Sequence, residues 1–226
     1  DIIKKYAPWL TYWVSEKDRG QSHAINKGFE KATGQLFAWM NSDDFYAKSA
    51  LFEISSCLDS EFDLYVGIGH KVNLGREIIY SPNPSNLGLK YFINWGKGNN
   101  FMQPAAFFTK RAFRNVGGLD ESYNYGMDVD LWIKLAKHYK LKKIEKTLAY
   151  AYEHVEAKTT AEIPEMHLEF PLMLARNGHL DEAKSILRDI KKNVYKQAVS
   201  NTSFKNFLAG KIKARWRWLL NRIKLK

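Results

Sequence analysis

Gln35-Leu36-Phe37-Ala38-Trp39-Met40-Asn41-Ser42-Asp43-Asp44 is the stretch on which the reading of this chain turns. Residues 35–40 are nearly continuous in apolar side chains and bounded by turn formers, the pattern of a buried strand. The strand runs straight into two adjacent carboxylates, which cannot both be core. In open α/β sheets, ligands bind outside the carboxyl ends of the strands, where Asp43 and Asp44 would lie. Such a pair suits a hard divalent cation, Mg²⁺ or Mn²⁺, which binds through one or two carboxylates plus substrate phosphates. The competing reading is a helix cap, with Ser42 or Asp43 accepting the first amides of the helix that follows.

Working outward, Ala24, Ile25, Phe29 and Ala32 recur at helical spacing, so a helix is predicted over 22–33 and is stopped by Gly34. A β-rich run at 11–15 precedes it and ends in the polar turn 16–20. On the other side come a predicted helix over 47–58 and a strand over 64–68. Strand–helix–strand–helix–strand alternation predicts a parallel or mixed α/β sheet. Residues 70–84 read as a hairpin, and 141–152 as one or two strands. Helices are predicted over 87–95, 110–116 and 128–138. From Pro164 the chain reads as helical, with 165–176 and 180–192 joined at Asn177-Gly178-His179 and a separate basic helix over 203–226.

With 226 residues, 45% of them hydrophobic, the chain can build a core, and no apolar run is long enough to span a membrane. The one cysteine, Cys57, excludes an internal disulfide and fits a reducing compartment. A net charge of +11 suggests a nucleic-acid binder until its distribution is read. Asp189 is the last acidic residue and eleven basic ones follow it, so residues 1–189 hold 24 charges of each sign. The body is neutral overall and no nucleic-acid partner is expected.

Two further points carry chemistry. In Gly126-Met127-Asp128-Val129-Asp130-Leu131-Trp132, Asp128 opens an amphipathic helix. It could be a cap, or a general base that deprotonates a sugar hydroxyl. Asp130 cannot easily share that role, because positions i and i+2 on a helix face different ways. His154 closes a strand and opens a polar loop, a place where a lone histidine is more often a surface residue than a ligand.

Several blocks then carry a resemblance. They are residues 15–28, Ala32-Thr33-Gly34, 39–44, Gln103-Pro104-Ala105 with Phe107, Gly117-Gly118-Leu119-Asp120-Glu121, 127–132, and Tyr152-Glu153-His154 with Lys158-Thr159. In this order, over about residues 9–160, they resemble the middle of a family 2 glycosyltransferase. The resemblance implies an α/β fold of the GT-A type, a mixed sheet flanked by helices, over residues 1–162. Residues 163–226 would form a C-terminal helical extension.

By the same resemblance, Asp43 faces the ribose of a nucleotide-sugar donor, and Asp44 with His154 holds the Mg²⁺ or Mn²⁺ that bridges its diphosphate. Asp128 stands at the catalytic base, Asp18, Arg19 and Gln21 border the nucleotide, and Trp95 and Gln103 are candidates for the acceptor site. Core packing is the equal alternative for Trp95. Met127 departs from the pattern, since relatives often carry an acid there. The family also opens with a strand, a helix and a second strand ending in an acidic-glycine loop, a unit that nothing before Tyr12 supplies. The chain is therefore expected to be truncated at its N-terminal side, to fold poorly on its own and to be inactive on its own. The alternative is a non-catalytic nucleotide- or sugar-binding relic. In the basic tail, Phe204, Phe207, Leu208, Ile212, Trp216, Leu219, Leu220 and Ile223 recur at helical spacing among lysines and arginines. That suits an anionic membrane surface and a peripheral place on the cytoplasmic face, near a glycan or lipid-linked acceptor, the alternative being that the apolar face packs back on the catalytic domain.

Overall fold

The strongest apolar runs of the sequence form the middle of one six-stranded mixed sheet. The structure, a computed structural model, describes residues 1–82, 84, 86–153 and 163–200. The strands are β1 (Leu36–Phe37), β2 (Asp44–Tyr46), β3 (Leu64–Val72), β4 (Ile78–Tyr80), β5 (Ala106–Thr109) and β6 (Leu141–Tyr152). The path across the sheet is β1-β5-β3-β6-β2, with β4 paired to β3 as a hairpin. β3 and β6 run parallel, while β1–β5, β5–β3, β6–β2 and β3–β4 are antiparallel. Strands β1, β3 and β6 thus share one direction, as the alternation predicts, and β5 enters between β1 and β3 in the opposite sense.

The helices beside this sheet are α1 (Ile2–Tyr6), α2 (Gln21–Lys31), α3 (Ala50–Ser56), α4 (Leu89–Ile93), α5 (Lys110–Asn115) and α6 (Met127–His138). Aromatic rings join α2, β1 and α6 into one core. Phe29 of α2 stacks on Phe37 of β1 at 4.6 Å, and Trp39 stacks on the fully buried Trp132 of α6 at 5.7 Å. Pairs of this kind add about 0.5–1.5 kcal/mol each beyond their buried area. A second cluster, with Ala50, Ile54, Tyr65, Phe107, Ile144 and Leu148, ties α3 to the sheet. At the start of β3, buried Asp63 is neutralised by Arg111, whose guanidinium reaches both carboxylate oxygens at 2.8 and 2.7 Å.

Close packing fixes one glycine. A Cβ at Gly67, in the middle of β3, would lie 2.3 Å from Cδ1 of buried Leu148. Gly67→Ala is therefore expected to lower stability by about 1–3 kcal/mol through overpacking. Denaturant titration against the wild-type chain checks it, and an unchanged midpoint would remove this contact from the account.

Three expectations are corrected. Residues 11–15 are not a strand: Tyr12, Trp13 and Val14 are exposed, and no described strand pairs with them. Strand propensity is realised only against a neighbour. The strand predicted over 35–40 contributes only Leu36–Phe37 to the ladder. The helix predicted over 47–58 is shorter, Ala50–Ser56: Ala47 continues from β2 along β6, its amide donating to the Leu148 carbonyl at 2.9 Å.

The chain divides into two compact units, Asp1–Ala161 and Glu162–Lys226. In the second, α7 (Ile163–Arg176) and α8 (Leu180–Ser200) meet at the predicted turn, where Gly178 adopts φ 86° and the His179 amide donates to the Leu174 carbonyl at 2.8 Å. Among the described residues no helix is long and apolar enough to cross a membrane. The predicted basic helix over 203–226 and His154 lie outside the described residues.

Candidate active site

After β1 the chain turns at Ser42–Asp43 and enters β2 at Asp44, with the Asp44 amide donating to the Asn41 carbonyl at 3.2 Å. The helix-cap reading of this turn fails, because β2 intervenes and the next helix begins only at Ala50. Asn41 organises the turn. Its side-chain amide donates to Asp44 Oδ2 at 3.0 Å, and its Oδ1 accepts from Gln21 Nε2 at 3.0 Å. Gln21 is the first residue of α2, so that helix end and the carboxylate turn are fastened together.

The next residue of α2 does the same for the second carboxylate cluster. Ser22 Oγ donates to Met127 Sδ at 2.8 Å, both side chains being buried. Met127 opens α6, so the position that often carries an acid in relatives is here a packing contact. Asp128 follows it as the second helical residue. It is not the cap, since Gly126 holds that place. The two aspartates of this turn differ sharply. Asp128 is half-buried and its Oδ1 accepts from the Val129 amide at 2.8 Å. Asp130 is 1% exposed and its carboxylate lies 2.6 Å from Lys134 Nζ, one helical turn on. The amide end of α6 favours negative charge at both.

The loop before α2 is anchored on that helix. Asp18 accepts from Lys27 Nζ at 2.8 Å and lies 3.2 Å from His23 Nδ1. The hydrogen bond from Lys27 holds the Asp18 carboxyl below its usual range, and Asp18 with Glu16 pushes the Lys27 ammonium up to about 12. Arg19 reaches across to Glu121, donating through Nη2 at 2.8 Å and Nε at 3.1 Å, which lowers the Glu121 carboxyl. Asn26 adds a two-point clamp, donating to the Leu119 carbonyl at 2.9 Å and accepting from its amide at 3.1 Å. The preceding Gly117 and Gly118 both take left-handed conformations, φ 85° and 70°, so the clamp needs glycine there.

The first turn of α2 thus bonds to the Asp44 turn through Gln21 and Asn41 and to Met127, the neighbour of Asp128, through Ser22, with Asp43 in the same turn as Asn41. Gln103 sits beneath, donating from Nε2 to the Trp39 carbonyl at 3.0 Å, while its Oε1 is buried with no hydrogen-bond partner. Trp95 packs edge-on to Phe101 at 5.2 Å and stays half-buried. No contact described joins Trp95 to the carboxylates. Asn41, Ser22, Asn26 and Glu121 carry structural roles at the site that spacing did not assign. Nothing in the local sequence shows an amide that bonds across 20 or 93 residues.

A sequence profile described as glycosyl transferase family 2 matches residues 1–117, more than half of the chain. The chain belongs to glycosyl transferase family 2. An uncharacterized glycosyltransferase of Rickettsia typhi is 25% identical over 149 residues, 60% of this chain and 45% of that protein. The fold is close to that of S. aureus TarS 1–349, solved in complex with UDP-GlcNAc, at a TM-score of 0.59 and 16% identity. That match covers 82% of this chain and 58% of TarS 1–349. The mannosyltransferase PcManGT from Pyrobaculum calidifontis, in complex with GDP-Man and Mn²⁺, aligns over 99% of this chain and 69% of its own, at a TM-score of 0.50 and 12% identity. The family 2 domain is therefore a mixed α/β sheet of the GT-A type, followed by a helical part. The chain spans under two thirds of the length of the curated relative and of TarS 1–349.

Proposed function

We propose that this family 2 domain serves the inverting transfer of a sugar from a nucleoside-diphosphate donor to a hydroxyl of a glycan or lipid-linked acceptor, in cell-surface polysaccharide synthesis on the cytoplasmic side of a membrane. One observation carries the reading. Adjacent residues of α2, Gln21 and Ser22, hold the Asp43–Asp44 turn and the Asp128 turn to the same helix end. A binder of nucleotide alone has no use for a base beside its diphosphate site. TarS and PcManGT, with their bound nucleotide sugars, support a donor of this class.

The donor set fits a hard divalent cation. Among the described residues no three carboxylates, histidines or cysteines gather to make a closed cage. Two neighbouring carboxylates, one exposed and one half-buried, fit a metal that takes its other ligands from substrate phosphates. Asp44 with His154 would hold it, and when bound it would neutralise the charge that grows on the departing diphosphate.

The chain's own residues do the rest. Asp43 receives the ribose hydroxyls. Asp18, Arg19 and Gln21 border the nucleotide, with Gln21 also orienting Asp44 through Asn41. Gln103 and Trp95 line the approach of the acceptor, Trp95 offering an apolar face to a sugar ring. Asp128 takes the acceptor proton as the hydroxyl oxygen attacks the anomeric carbon, and the diphosphate leaves from the opposite face in one displacement.

The test is release of nucleoside diphosphate from UDP- and GDP-sugars with Mn²⁺ by the natural full-length protein, in wild type and in Gln21→Ala. We expect turnover in the wild type, and Mn²⁺ affinity about 10–100-fold lower in Gln21→Ala, the usual effect of removing the group that orients a ligand. Binding of donor without any turnover would favour the binding-relic reading, and no donor binding would overturn both.

A further inference from the structure

The segment that leads into Gln103 carries a second set of groups suited to a ligand. Tyr80, at the end of β4, donates its hydroxyl to Asn100 Oδ1 at 2.9 Å. Tyr91 of α4 donates to the Asn100 backbone carbonyl, also at 2.9 Å. One asparagine thus gathers two phenol rings from different elements. Burial holds the Tyr91 hydroxyl above its usual range, and the nearby Tyr80 phenol adds to the effect. The cluster still opens to solvent: Tyr80 is 43% exposed, and Tyr91 and Asn100 are half-buried. Both tyrosine protons go to Asn100. The Asn100 Nδ2 group has no partner among the described residues, so it keeps two donors, and each phenol oxygen keeps acceptor capacity.

None of these three side chains is charged. Lys90 and Lys97, the cations of this stretch, take no part in their bonds. Phenol rings beside a carboxamide donor suit a ligand rich in hydroxyls that also has an apolar face, and in a glycosyltransferase family that ligand is a sugar ring. The cluster is continuous with the acceptor side of the site. Asn100 stands three residues before Gln103, a span of at most about 10 Å of extended chain. Phe101, between them, packs on Trp95 at 5.2 Å and on Trp132 at 5.5 Å, and Trp132 lies one helical turn after Asp128. A line of side chains therefore runs from the helix of Asp128, past Gln103 and Trp95, to Tyr80 and Tyr91.

We propose that Tyr80, Tyr91 and Asn100 form a second carbohydrate subsite, which holds a ring of the acceptor remote from the reacting hydroxyl, so that the preferred acceptor is an oligosaccharide and not a single sugar. This deepens the reading above and rests on it for calling the ligand an acceptor; occupancy of the subsite can be read without turnover.

The probes are glucose, galactose, mannose and N-acetylglucosamine, each as monosaccharide and as linear trisaccharide, added to the natural full-length protein without donor. We expect the side-chain amide signals of Asn100 to shift with the trisaccharide of at least one series, and much less with its monosaccharide. Asn100→Asp keeps an oxygen for the Tyr80 hydroxyl and removes the two donors. In calorimetry it should weaken trisaccharide binding at least about fivefold, the worth of one or two hydrogen bonds, which a purely structural asparagine would not do. No shift with any trisaccharide would overturn the proposal. So would an Asn100→Asp protein that keeps the wild-type preference for trisaccharide over monosaccharide, or signals that answer to inorganic phosphate or UDP and to no sugar. A trisaccharide response in a wild-type protein that turns over no donor would instead count against the catalytic reading alone.

Discussion

Asp128→Asn is expected to lower turnover by about 10²–10⁴, the usual worth of a general base, while donor affinity stays at its wild-type value. The substitution keeps size and hydrogen-bonding shape, and Oδ1 can still accept from the Val129 amide. What it removes is the site that takes the acceptor proton. A loss confined to the maximal rate separates chemistry from folding and binding. Retention of most activity would move the base elsewhere. Asp130 would then be examined first, although its burial against Lys134 suits a structural ion pair better than proton transfer.

Asp44→Ala is expected to remove both halves of the function. Asp44 is the carboxylate oriented by Asn41, and through it by Gln21, and it opens β2 at the rim of the sheet. Without it, Mn²⁺-dependent donor binding should be lost in calorimetry. Turnover should fall more than about a hundredfold, because electrostatic support of a leaving diphosphate is worth several kcal/mol. Chelation of the metal from wild type should give the same pattern. An Asp44→Ala protein that binds donor and Mn²⁺ normally would place the metal away from this turn. The contrast between the two variants is the useful part: one should lose rate only, the other rate and affinity.

Much of the frame was legible because it rests on local periodicity. Phe29 and its helical neighbours give α2 almost to the residue, Leu131, Trp132 and Leu135 give α6, and 64–68 seeds β3. The misreadings share one cause: strands are decided by partners that the local sequence does not show. Thr11–Ser15 has strand composition, but no described strand lies beside it. Asp44–Tyr46 has no strand signal of its own, yet β6 is 12 residues long and, while one edge pairs with β3 along its length, the other edge of its last residues captures this segment.

The site was legible as a set of carboxylates and not as an arrangement. Asp43, Asp44 and Asp128 stand out because acids at the ends of apolar elements need a reason. Asn41, which bonds to Gln21 on one side and Asp44 on the other, does not, because an asparagine in a turn already has a local explanation. Met127 looked like the loss of a polar contact. In the fold it is the sulfur that receives Ser22 and binds α6 to α2.

The central claim is that the Asp43–Asp44 turn and the Asp128 turn share one metal- and donor-binding site at the end of α2. Paramagnetic broadening of backbone amide signals by Mn²⁺, in the presence of UDP or GDP, tests it most directly. The account predicts that signals of residues 41–46, 20–22 and 126–129 broaden together at low metal, and that Asp44→Ala abolishes the effect at all three segments. Broadening confined to one segment, or centred elsewhere in the chain, would contradict it.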